Sequence, residues 1–136
     1  MAKGSGEELL MIQKLLNELK PIAEKEYSRA VIDWGYPHSK HEGYAVMLEE
    51  IEEAEKEIAS IVNYAGDIWY YVKTNHSDVA EYLKVIERNS LCLAAEALQI
   101  YATARKFRVF EEVVCDDVEG TAGTNHRDDS AREIKR

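Results

Sequence analysis

Glu49, Glu50 and Glu53 fall close together in the run HEGYAVMLEEIEEAEKEI, from His41 to Ile58, and a fourth carboxylate, Glu96, stands alone in the nearly apolar run LCLAAEALQIYATA. In the first run six glutamates crowd a few turns with Lys56 as the only cation among them. Like charges at i,i+4, such as Glu49 with Glu53 and Glu53 with Glu57, each cost about 0.2–0.5 kcal/mol in a helix. Met47, Ile51, Ala54 and Ile58 form the apolar stripe of that helix, which leaves Glu49, Glu50 and Glu53 on one flank with Glu50 and Glu57 at its buried border. Clustered carboxylate oxygens suit hard cations. A solvated acidic face is the competing reading of the same residues.

Glu96 sharpens the choice. Around it Ala94, Ala95 and Ala97 favour close helix packing, and its few polar companions, Cys92, Gln99 and Thr103, share its stripe. A buried lone carboxylate is costly unless it is paired, protonated or bound to metal. Facing Glu50 and Glu53 across a helical bundle, it would complete a two-helix oxygen cage of the kind Mg²⁺ uses with phosphates, leaving Glu49 to orient or deprotonate a water. The alternative is that the stripe is the wet side of an amphipathic helix.

The elements that must position these residues follow from pattern. The 136 residues suit one domain, and scarce Pro and Gly favour long helices. We expect an all-α fold, a helical bundle of about four to five helices. The first, from Glu7, reaches a break or kink at Pro21, after which a second run extends to about Asp33. Ser39 and Glu42 read as a capping box opening the acidic helix, which runs to about Ser60. A further helix reaches about Lys73, weakened near Gly66, and Asn75 to Asp78 make a turn. Helix then continues to about Val114 with a bend near Asn89 and Ser90, and the Leu91–Ala104 stretch reads as the central helix. Residues 1–115 form the domain, and 116–136 are too polar to pack and read as a flexible tail.

Composition removes other classes. A net charge of −9 repels nucleic acid and anionic membrane surfaces. The start has no apolar targeting segment and no run is long enough to span a membrane, so a cytoplasmic protein is expected. Cys92 and Cys115 read as free thiols. A di-iron carboxylate bundle needs Glu-x-x-His, which occurs nowhere.

The chain resembles the MazG-like all-α nucleoside triphosphate pyrophosphohydrolases, in particular their short phage and prophage-type members. Glu49-Glu50-x-x-Glu53 matches the family's EExxE motif, HEGYAVMLEEIEEAEKEI is similar to the helix carrying it, and SLCLAAEALQIYATARKF is similar to the helix with the second acidic motif. Those two segments cover about a quarter of the chain, and IWYYVK between them is also similar. The resemblance implies a bundle completed by oligomerisation as a homodimer or homotetramer, Mg²⁺ (or Mn²⁺) as cofactor, and cleavage of a ribo- or deoxyribonucleoside triphosphate to the monophosphate and pyrophosphate. By position Glu50, Glu53 and Glu96 would hold the metal, with Gln99 standing where the family's ExxD motif has its aspartate. A rival completion of the site uses Asp67.

Arg105 and Lys106 would reach triphosphate oxygens, although cations there also complement a helix end, as does Arg108. Trp34, Trp69, Tyr70, Tyr71 and Tyr101 could stack on a base or pack in a core or interface. The neutral Gln99 sustains an alternative from another class: a non-catalytic acidic helical protein, either a degenerate nucleotide binder or a protein-interaction module.

Overall fold

A computed structural model describes residues 4–76 and 79–121, with side chains given up to residue 117. The described residues form three helices, α1 (Ser5–Trp34), α2 (Lys40–Lys73) and α3 (Val79–Thr121), with no strand among them. The all-α bundle expected from the sequence is present, but in fewer and longer pieces. None of the described helices is long and apolar enough to cross a membrane.

The interruptions expected at Pro21, Gly66 and Asn89–Ser90 are bridged, while the turn expected from Asn75 does separate α2 from α3. Pro21 lies inside α1, where it forgoes a hydrogen bond to the carbonyl of Asn17 without ending the helix. Gly66 lies inside α2 in open space, so flanking residues carry the helix through it. Asn89 and Ser90 do not bend α3 out of helix: Asn89 Nδ2 donates to Ser60 Oγ on α2 at 2.9 Å, and Ser90 Oγ donates back to the Ile86 carbonyl at 2.7 Å. Helix α3 also continues to Thr121, so the first residues of the expected tail are helical; 122–136 lie outside the described residues, as do residues 77 and 78 of the expected turn.

The helix ends have local causes. Gly35 takes a φ of 69°, a left-handed conformation suited to glycine, and its N–H closes α1 on the Val31 carbonyl at 2.8 Å. Ser39 Oγ accepts from the Glu42 N–H at 3.1 Å, while the Glu42 carboxylate reaches one residue beyond the cap to the His38 N–H at 3.1 Å. Asn75, with φ of 54°, follows α2.

Helix α3 is the centre: α1 and α2 both pack on it and not on each other. Its fit to α2 is tight at Gly43, where an added Cβ would lie 2.6 Å from the Phe107 ring. Helix α1 docks largely through polar groups. Tyr101 Oη donates to Glu24 at 2.9 Å, Gln99 Nε2 donates to Glu26, and Arg105 pairs with Glu24 while its guanidinium lies 4.1 Å from the Tyr27 ring centre. The buried apolar side chains among the described residues are alanines: Ala23, Ala30, Ala54 and Ala102. Leu9, Leu10, Ile12, Leu15 and Leu16, on the N-terminal half of α1, are largely exposed.

Candidate functional site

Helix periodicity and the α2–α3 contact bring the predicted carboxylates together. Glu50 and Glu53 leave the flank of α2 three residues apart, and Glu96 comes across from α3; one oxygen from each lies within 4.8 Å of the others. Ala54, buried beside them, lets the helices approach. Glu50 and Glu96 are half-buried and Glu53 is exposed, so one side of the cluster faces solvent.

Burial first, and like charge after it, shift two of these carboxyls. Burial pushes the Glu50 carboxyl above its ordinary range, with the charges of Glu53, Glu96 and Glu49 adding to the effect and Lys106 opposing it. Burial also raises Glu96, followed by the charges of Glu53 and Glu57. Two carboxyls raised in this way, Glu50 and Glu96, are ones that a divalent cation would relieve. All the donors are oxygens, as a hard cation prefers, and an open face leaves room for water or phosphate ligands.

The remaining predicted residues divide. Glu49 is exposed and bears on the cluster through its charge on Glu50. Gln99 is turned toward α1, donating to Glu26, and is not one of the three clustered ligands. Arg105 is occupied by Glu24 and Tyr27 of α1 and by Tyr101 of its own helix. Arg108 pairs with Glu112 at 2.7 Å. Asp67 lies fourteen residues beyond Glu53 on the same unbroken helix, about 21 Å along its axis, so it does not share the cluster.

Lys106 is placed differently from its neighbours. Only 8 % exposed, it lines a cavity of about 270 Å³ enclosed by the end of α1, residues 35–37, the start of α2 and the middle of α3. Glu50 lines the same cavity, which therefore joins the carboxylate cluster. Trp34 and Tyr36 line it too, and the Tyr36 hydroxyl is 2.7 Å from that of Tyr27.

Sequence reasoning missed Tyr36, Glu24 and Glu26. Tyr36 sits in a turn, where no periodicity assigns a face. Glu24 and Glu26 pair with residues more than seventy positions away, and neither leaves a local signal of that pairing. The chain matches no protein-family model, no curated protein and no solved structure, so the chemistry of the site is read from its own residues.

Proposed function

We propose that this chain is a Mg²⁺-dependent, MazG-like nucleoside triphosphate pyrophosphohydrolase. The observation that carries the reading is the meeting of Glu50 and Glu53 from α2 with Glu96 from α3 within 4.8 Å, beside a cavity that Glu50 also lines. Those three residues would hold the cation, which would supply charge neutralisation at the phosphate oxygens and polarise the phosphorus centre. Glu49, exposed next to the cluster, takes a proton from the attacking water. Water adds to the α phosphorus, the bond from that phosphorus to the bridging α–β oxygen breaks, and pyrophosphate leaves with the bonding pair.

The exposed leucines of α1 are covered by a second copy of the chain, giving a cytoplasmic homo-oligomer. Contiguous apolar surface of this kind marks an association site. A second reading, a nucleotide-binding relative without turnover, is favoured by one observation: the amide nitrogen of Gln99, which stands where the resembled motif has a carboxylate, donates to Glu26 on α1.

The test is pyrophosphate release from a panel of ribo- and deoxyribonucleoside triphosphates with Mg²⁺ or Mn²⁺. We expect metal-dependent release that Glu53→Gln and Glu96→Gln each reduce at least a hundredfold. Absence of release with every triphosphate and both metals refutes the enzyme reading. Metal-dependent triphosphate binding without release then selects the second one.

A further inference from the structure

Gln99 carries an amide with two ends, and only one of them has a partner in the protein. Its Nε2 donates to Glu26 Oε1 on α1. Its Oε1 accepts no hydrogen bond from a described residue and is not sealed from solvent, and the space that Gln99 lines is the cavity shared with Glu50. Gln99 also stands one helical turn beyond Glu96 on α3.

Which end of the amide meets Glu26 is fixed by chemistry. Arg29 grips Glu26 with its guanidinium fork, Nε donating to Oε2 at 3.0 Å and Nη2 to Oε1. A carboxylate held in such a fork accepts and has no proton to donate, so Gln99 meets it through nitrogen and its oxygen is left for the other side. Arg29 is itself shared with Asp33, whose Oδ2 lies 2.9 Å from Nη1. Two carboxylates on one guanidinium keep a net negative charge behind the amide. Donation into that charge polarises the amide and makes its oxygen a stronger ligand.

We propose that Glu26 is a positioning residue for the cation site of Glu50, Glu53 and Glu96: it holds the nitrogen of Gln99 so that the Gln99 oxygen serves as a further ligand from the cavity side. Hard cations take amide carbonyl oxygens beside carboxylates, and the outer group that orients a ligand carries part of the affinity. The charge that α3 lacks at position 99, where the resembled motif has an aspartate, is supplied by α1 one hydrogen bond further out. The inference rests on the metal site of the pyrophosphohydrolase reading and adds a third helix to it.

The test is Mn²⁺ binding to the full chain without nucleotide, followed by loss of the free-ion electron paramagnetic resonance signal. Glu26→Gln lets either end of the Gln99 amide face α1, and we expect it to weaken Mn²⁺ about tenfold or more. Glu24→Gln weakens another polar contact that docks α1, the pairing with Arg105 and Tyr101, and should leave Mn²⁺ affinity unchanged. The exchange Glu26→Gln with Gln99→Glu keeps an amide–carboxylate pair and moves the charge toward the cation, so it should restore the wild-type affinity or exceed it. Equal affinity of wild type and Glu26→Gln overturns the proposal. So does an equal loss in Glu24→Gln, which would assign the effect to α1 docking alone, and so does an exchange variant no tighter than Glu26→Gln. A wild type that binds no Mn²⁺ overturns the proposal together with the metal-dependent reading. The expected ranking without pyrophosphate release supports the proposal and refutes only the hydrolase; release with Mn²⁺ affinity indifferent to position 26 refutes only the proposal.

Discussion

Replacing Glu96 by Gln should stabilise the chain when no divalent cation is present. The three clustered carboxylates have oxygens within 4.8 Å of one another. At that separation two unit charges repel by about 3.5 kcal/mol at an effective dielectric of about 20 and by about 0.9 kcal/mol in water. Glu53 is exposed, so solvent screening places each pair near the lower figure. Glu96 faces two such neighbours, and Glu96→Gln keeps the side chain's shape while removing about 1–2 kcal/mol of repulsion. For a chain of this length that corresponds to a rise in Tm of about 3–7 °C.

The pH dependence has a fixed sign. Glu50 and Glu96 titrate above 4.5 in the folded chain, so their favourable contribution is complete below 4.5 and is lost as pH climbs through their raised values. The stability advantage of Glu96→Gln should accordingly grow from acid to neutral pH. Mg²⁺ should offset most of that advantage, because a cation bound by the folded chain alone, at ten times its Kd, adds about 1.4 kcal/mol to the wild type. Thermal unfolding followed by far-ultraviolet circular dichroism, in EDTA and in millimolar Mg²⁺ at matched ionic strength, measures both effects. A variant that melts below the wild type in EDTA, or a Mg²⁺ shift equal in the two proteins, would refute the electrostatic account of the cluster.

Two other substitutions test the packing. Gly43→Ala drives a Cβ to within 2.6 Å of the Phe107 ring and should cost about 1–2 kcal/mol after the helix-propensity gain, whereas Gly66→Ala, in open space, should add about 0.5–1 kcal/mol; chemical denaturation compares them. Leu15→Asp, on the exposed face of α1, should lower the mass seen by sedimentation to that of a single chain, and a wild type that already sediments as one chain contradicts the assembly proposed here.

The juxtaposition of Glu50, Glu53 and Glu96 was readable because two local signals converged: the apolar stripe of α2 fixed which glutamates share a flank, and Glu96 was an isolated charge in an apolar helix. The same all-round apolarity marked α3 as the helix between the others. The helix boundaries were less readable. Pro21, Gly66 and the Asn89–Ser90 pair all carry local preferences against helix, and continuity through them depends on the surrounding chain, as the Asn89–Ser60 hydrogen bond illustrates. Arg105 and Lys106 are adjacent and similar in sequence, yet one helical step turns the first toward α1 and the second into the cavity. Which partner each meets is a property of the docked α1, and α1 is tied down by contacts too distant in sequence to leave a pattern.

The four buried alanines have a consequence for mass action. Side chains that small remove little apolar area from water, while ordering each residue costs about 1–2 kcal/mol, so a lone chain has little internal means of offsetting that cost. In the proposed assembly, the copy that covers the leucines of α1 would contribute to the folding equilibrium itself, and the unfolding midpoint would become a function of protein concentration. If that assembly forms, dilution would act on it as a denaturant does, and the proposed activity would fall with it before any change in the carboxylate cluster.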